Sequence, residues 1–195
     1  MGVVMKMSLD GSTNEVIAGG VRQPDGIAIT PKGEVFISDN QGQWQPSNKL
    51  IHVKEGRYYG HPQIWHSATP WDQNIPESPP AIWVVQNEIG NSPTQPMFVD
   101  SGLFPGQVLL PDITYGGVQR IFLERIGGEY QGAIFQFTGG LECGMNSIQT
   151  GPDGAFYMGG IGDGRPGGAG AWNWNSTRHG LQKLVPNGTV AFEML

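Results

Sequence analysis

Apolar residues recur along the chain in short runs, each opened by a turn glycine: GEVFISD at Gly33 to Asp39, GQVLLPD at Gly106 to Asp112 and GAFYMGG at Gly154 to Gly160. Runs of this length, bounded by Gly, Pro, Asn and Asp, predict strands. The same order recurs around each: GIAIT, GEVFISD and KLIHV; then GQVLLPD, GVQRIFLE and YQGAIFQF; then NSIQT, GAFYMGG, GLQKLV and TVAFEML. ITPKG in the first unit and QTGPDG in the third read as strand, Pro-containing turn, strand, which predicts a hairpin at the start of each. GVVMKMSLDG and EVIAGG form a further pair through the turn Asp10-Gly11-Ser12. No stretch carries the period of a helix of four turns.

Meanders repeated at this spacing predict an all-β chain, a partial β-propeller of about three to four four-stranded antiparallel blades. The expected divisions are a half blade at 1–20 and blades at 21–80, 81–140 and 141–195. Two loops interrupt the period, one rich in His, Trp and Pro at 57–80 and one rich in Gly and Trp at 162–176; long loops on a regular scaffold are common places for binding residues. Three blades and a half would not close a ring. The open strand edges call for a partner, either a second copy in a homodimer or the remainder of a longer propeller.

Composition agrees with this reading, since 31 glycines, 15 prolines and a charged fraction of 14% suit tight turns and short strands. A net charge of −6 without any run of Lys or Arg argues against nucleic acid and anionic membrane as partners. No apolar stretch approaches the roughly 20 residues that span a bilayer, and residues 1–10 lack the order of a signal peptide, so a soluble chain is expected. Cys143 is the single cysteine; it permits no intrachain disulfide and reads as a small buried hydrophobe. Asn175-Ser-Thr and Asn187-Gly-Thr match the glycosylation pattern and are read as turn residues.

The run RQPDGIAITPKGEVFISDNQGQWQPSNKLIHVKEGRYYGHP, the segments LLPDITYGGVQRIFLERIGGEYQGAIFQFTGGLE and GPDGAFYMGGIGDG, and the later RHGLQKLVPNG occur in order over nearly the whole chain. Together they resemble the bacterial glucose/sorbosone dehydrogenase-like family, many of whose members are fused to cytochrome c modules. The resemblance implies a six-bladed quinoprotein propeller, of which this chain holds the later blades. It further implies calcium and pyrroloquinoline quinone as cofactors, sugars or aldehydes as substrates, and an extracytoplasmic setting. The family's catalytic base is a His of an early blade, and this chain is expected to begin after it. One departure stands out: in Gly144-Met145-Asn146-Ser147-Ile148, serine occupies the place where the family pattern has arginine after Asn146, and serine supplies no charge for an anionic cofactor.

Candidate site residues lie at strand ends. Asp39 and Asn40, followed by Gly42, Trp44, Asn48 and Lys49, offer oxygen ligands that calcium accepts; the alternative is that Asp39 and Asn40 cap the turn through its backbone amides. His61 could act as a base, or it fixes the Pro-rich loop together with Trp65 and His66. Glu88, Asp112 and Tyr115 are placed to reach one face of the propeller, as sugar ligands or as turn caps. Arg120 is a candidate for an interblade ion pair or a ligand anion. Asn146, Trp172 and Trp174 complete the ligand-binding set, the tryptophans as stacking platforms or as shields of an edge. Gly162-Asp163-Gly164 matches neither a nucleotide fingerprint nor a calcium loop. These residues predict a ligand-binding or interaction module without turnover of its own; the alternative is an oxidoreductase of sugars or aldehydes dependent on pyrroloquinoline quinone and calcium, as a dimer or within a longer chain.

Overall fold

The computed structural model describes residues 2–62, 75–102, 104–139, 141, 143–161 and 180–185. Among these there is no helix, and the strands form four sheets, antiparallel except where β6 joins β2, the all-β architecture expected of a partial propeller. The first sheet contains β1 (Gly2–Met7), β2 (Asn14–Val21) and the short β6 (Arg57–Tyr58), which joins β2 in parallel. The second has the order β3 (Pro24–Ile29), β4 (Val35–Asp39), β5 (Asn48–His52) and β7 (Ile82–Val84). The third runs β8 (Met97–Phe98), β9 (Val108–Pro111), β10 (Val118–Ile126), β11 (Glu129–Thr138). The fourth comprises β12 (Gly144–Thr150), β13 (Phe156–Ile161) and β14 (Gly180–Leu184).

Because β7 pairs with β5, the second sheet extends through Val84, and the division placed at 80/81 falls inside it. The reason lies in the 57–80 loop, which precedes the outer strand of this sheet. The hairpins predicted from ITPKG and QTGPDG are β3–β4 and β12–β13. TVAFEML, the loop at 162–176 and residues Trp65, His66, Trp172, Trp174, Asn175 and Asn187 lie outside the described residues.

Successive residues of the central strands enter different cores, since side chains alternate across a sheet. On β4, Phe36 packs into the core between the second and third sheets, while Ile37 packs between the first and second. Leu50 and Ile51 on β5 divide in the same way. On β9, Val108 and Leu110 face the second sheet and Leu109 faces the fourth, where Met145, Ile148, Phe156 and Met158 complete a third core. Strands buried on both faces need continuous apolar runs rather than alternation. Each fully buried large side chain contributes about 1.5–3 kcal/mol.

At the start of β4 the second and third sheets are joined by polar contacts. Glu34 accepts from Arg125 at 3.0 Å and from the Tyr130 hydroxyl at 2.7 Å, and Lys54 meets Glu129 at 2.7 Å. Toward the other end, the inner strand β3 comes so close to the segment leading into β8 that a Cβ on Gly26 would lie 2.2 Å from Gln95 Cα and 2.7 Å from the Thr94 carbonyl oxygen. Only glycine fits there, because the obstruction is backbone. Gly26→Ala is therefore expected to cost about 3 kcal/mol or more in urea denaturation. Gly33→Ala, at a turn with φ of 80° and open space around it, is expected to cost about 1–2 kcal/mol. Equal losses would show that the two sheets do not approach as described.

Candidate functional site

At the C-terminal ends of β4 and β9 the same construction appears twice. Asp39 is fully buried, and its carboxylate accepts the amide of Arg22 at 3.1 Å and that of Gln23 at 2.8 Å. Asp112 is equally buried and accepts four amides: Asn91 at 2.6 Å, Ser92 at 2.9 Å, Thr114 at 2.9 Å and Tyr115 at 2.7 Å. In both cases a proline follows the two clasped residues, Pro24 after Arg22-Gln23 and Pro93 after Asn91-Ser92. A carboxylate withdrawn from water needs such donors, and here they anchor the connection that enters each inner strand. The third repeat has Gly160 at this position. A Cβ there would fall 2.4 Å from Cys143 Sγ and 2.6 Å from Met145 Cε, so the fourth sheet leaves no room for a third aspartate.

Behind the first clasp sits Lys49, 2% exposed, the cross-strand neighbour of Asp39. Its Nζ donates to the Tyr59 carbonyl at 2.8 Å and to the Gln45 side chain, and lies 4.0 Å from Asp39 Oδ2; the Gln45 amide donates in turn to Glu77. Burial pushes the Lys49 pKa down against the pull of Asp39 and Glu77. Burial likewise pushes Asp39 up against its two amides and Lys49. His61, buried beside this group, has its imidazole held below the usual value by burial, opposed by Asp39 and assisted by Lys49 and Arg22.

Between the second and third sheets, a polar crevice of about 230 Å³ opens in front of the clasps. It is lined by Arg22, Gln23, Asn40, Gln41, Asn91, Ser92 and Thr114. Thr114 is 6% exposed, and its hydroxyl is buried without a hydrogen-bond partner in the structure. Asn40 is held in the wall by the Ser92 hydroxyl, which donates to its Oδ1 at 3.1 Å. Arg22 is exposed and forms no ion pair among the described residues.

Of the residues singled out from sequence, Asn40 lines this crevice. Asp39 and Asp112 support its wall from behind, in the capping role. Asn48 is buried in the scaffold, accepting from the Gln41 amide at 3.0 Å and donating to Gln86 at 2.8 Å. Trp44 and Glu88 are exposed outside the crevice, and Asn146 is exposed on β12. The Tyr115 hydroxyl bonds Asn87 at 3.0 Å. Arg120 forms no ion pair among the described residues and stacks on Phe104, 4.2 Å from the ring centroid. The crevice residues missed from sequence had a visible signal, the repeated pair before proline in RQP and NSP.

No protein-family model matches the sequence, and no curated protein matches it. Solved structures do. The PQQ-bound aldose sugar dehydrogenase of Streptomyces coelicolor superposes with a TM-score of 0.60 at 18% identity, over 82% of this chain and 46% of that one. The chain shares its β-propeller fold with part of that structure. A glucose dehydrogenase of Thermus thermophilus matches at 0.55 and 23% identity, over 78% of this chain and 42% of that one. The soluble aldose sugar dehydrogenase of Escherichia coli, in its apo form, matches at 0.54 and 16% identity, over 75% and 44%. The chain thus spans under half the length of these sugar-dehydrogenase structures.

The fold therefore raises the question of a quinone cofactor and calcium. Among the described residues no group of three or more His, Cys, Asp and Glu could hold a metal ion. Both Asp39 oxygens are taken by amides, and Asn40 Oδ1 by Ser92. Pyrroloquinoline quinone carries three carboxylates, whereas the crevice offers one cation, Arg22. Its volume also lies under the roughly 300–1,000 Å³ of sites that enclose drug-sized ligands. By themselves the described residues do not fit this group.

Asp112→Ala would leave four amides without an acceptor, one buried and three part-buried, and a loss of about 3 kcal/mol in urea denaturation is expected; Asp112→Asn, which retains an oxygen, should lose less. A pH dependence follows from the histidines. Burial also lowers His52, opposed by Glu34 and Glu129 and assisted by Lys54 and Arg125. With the folded values of His52 and His61 below the unfolded one, stability is fully present above about pH 6.5 and falls as pH drops through the window down to the folded values. His61→Gln should reduce the slope of unfolding free energy against pH below about pH 6.5; an unchanged slope would assign the dependence elsewhere.

Proposed function

We propose that this chain is a ligand-binding portion of a sugar-dehydrogenase-like propeller, and that it takes a small polyhydroxylated ligand in the crevice between the second and third sheets. The observation that carries this reading is the lining itself. Amide, hydroxyl and guanidinium groups converge at strand ends of adjacent sheets, without a charged carboxylate exposed among them, and the volume suits a monosaccharide. Arg22, Gln23, Gln41 and Asn91 are the donors and acceptors for ligand hydroxyls; Asp39 holds the backbone of Arg22 and Gln23, Asp112 that of Asn91, and Asn48 that of Gln41. His61 is packed behind the wall and serves position rather than proton transfer. An extracytoplasmic setting accords with the resemblance.

A second reading is supported by the Streptomyces coelicolor neighbour, which holds PQQ. In it the chain contributes one face to an oxidoreductase of sugars or aldehydes. The quinone would supply the two-electron acceptor, and the remaining cations and the metal ligands would come from groups other than the described ones.

Titration of the chain with a panel of aldoses, followed by amide shifts in NMR spectra, tests the first reading. Saturable shifts at Arg22, Gln41 and Ser92 are expected, with binding weakened about three- to tenfold by Gln41→Ala, the value of one hydrogen bond. No saturable shift with any aldose would overturn it. Dye reduction by the chain with glucose, calcium and pyrroloquinoline quinone would establish the second reading in its place.

A further inference from the structure

The hairpin β10–β11 reaches further than the sheet that carries it. β9 pairs with β10 only from Val118 to Ile121, so from Phe122 to Ala133 the two strands pair, among the described residues, with each other alone. A two-stranded ribbon is marginally stable by itself. This one leans on the second sheet, with Leu123, Tyr130 and Ile134 packed against the core between the second and third sheets.

Two sets of polar contacts tie down its end. In the outer set Glu129 meets Lys54 at 2.7 Å and Arg57 at 3.2 Å, but the Glu129 side chain is 57% exposed, and ion pairs in that setting hold little. The inner set converges on Glu34, whose side chain is 17% exposed: Arg125 donates to Oε1 at 3.0 Å and the Tyr130 hydroxyl to Oε2 at 2.7 Å. His52, at the end of β5, stands beside this carboxylate with its side chain 10% exposed. Its ring stacks on Phe36 and lies perpendicular to Tyr130, each with centroids 4.9 Å apart. Nε2 is 3.9 Å from Glu34 Oε1, beyond hydrogen-bond distance, and Nδ1 is buried without a hydrogen-bond partner among the described residues.

A neutral imidazole is tolerated in this place. An imidazolium carries an N–H on both nitrogens and a full charge; it would face Arg125 and Lys54 as like charges and Glu34 and Glu129 as opposite ones. The oxygen that it approaches, Glu34 Oε1, is already taken by Arg125. Two cations would then contend for one buried acceptor, and only one of them belongs to the ribbon.

We propose that His52 is a proton-operated latch between the second and third sheets: a proton taken from solvent onto its imidazole draws Glu34 Oε1 away from Arg125 and frees the end of the β10–β11 ribbon. Burial holds the His52 pKa below its usual value, so closure is fully present above about pH 6.5 and is lost as pH falls through the folded value. The latch lies before and beside the start of β4, whereas the crevice lies past its other end at Asp39 and Asn40, so the crevice amides serve as an internal reference.

Amide exchange of the full chain, corrected for the intrinsic effect of pH, tests this between about pH 7.5 and 5. Protection of residues 124–131 is expected to fall at least about tenfold relative to Ile37 and Leu109, while Arg22 and Ser92 keep theirs. His52→Gln should remove the difference and leave the ribbon closed at both ends of the range; Glu34→Gln, which leaves a single oxygen for Arg125 and Tyr130, should open it at both. Should His52→Gln unfold the chain, the NMR titration of the His52 imidazole in the unaltered protein decides, since it must coincide with the loss of ribbon protection. Ribbon protection that does not change with pH, a difference that survives His52→Gln, or a loss shared equally by every amide would each overturn the proposal.

Discussion

Burial of both faces of the second and third sheets is the constraint from which the rest follows. A strand flanked by a core on either side has no solvent face on which to place polar groups, so chemistry is confined to strand ends and connections. Asp39 and Asp112 mark where β4 and β9 leave this regime. At the first, Ile37 and Phe36 are immersed in two cores, and two residues later a carboxylate must be fully satisfied by backbone amides because water does not reach it. That satisfaction holds the paired residues before each inner strand in place, and those residues form the crevice wall. Packing, clasp and crevice are therefore consecutive effects of a single arrangement.

The buried Lys49 has a related standing. Removing a charge pair from water consumes much of what its attraction returns, so the Asp39–Lys49 pair is weak evidence for stability. Its evident result is geometric. Through Gln45, the Tyr59 carbonyl and Glu77, the ammonium gathers the loop after β4, the segment around β6 and the start of the outer connection at one point. The two sides of the second sheet meet there, beside His61.

Much of the fold was legible in the sequence because two-sided burial writes itself as short unbroken apolar runs, and GEVFISD, GQVLLPD and GAFYMGG stand in register on that account. The strands that escaped notice, β6, β7 and β8, are two or three residues long and owe their pairing to neighbours rather than to their own composition. Of the site, Asn40 could be read from its position at a strand end. Asp39 and Asp112 were visible as polar residues at the right places, but their burial, which makes them clasps rather than ligands, depends on which amides the preceding connection delivers. Arg22, Gln23 and Ser92 carried a signal in the pairs before Pro24 and Pro93, but that they share one wall arises only when two sheets stand side by side. Arg120 shows the converse: an ion pair was one reading of its charge, whereas the folded chain gives it the face of Phe104.

The alternation of successive residues between two cores also governs how such a chain can vary in length. Deleting one residue within β9 would send Leu109 toward the second sheet and Val108 or Leu110 toward the fourth, exchanging the contents of two interiors at once. Insertions and deletions are thus barred from the central strands and admitted where the backbone leaves them, among other places in the connections after β2, after β4, after β7 and after β9. Those same connections carry the crevice. The part of the molecule free to drift in evolution is the part that lines the crevice, while the stacked sheets must be inherited residue for residue in length.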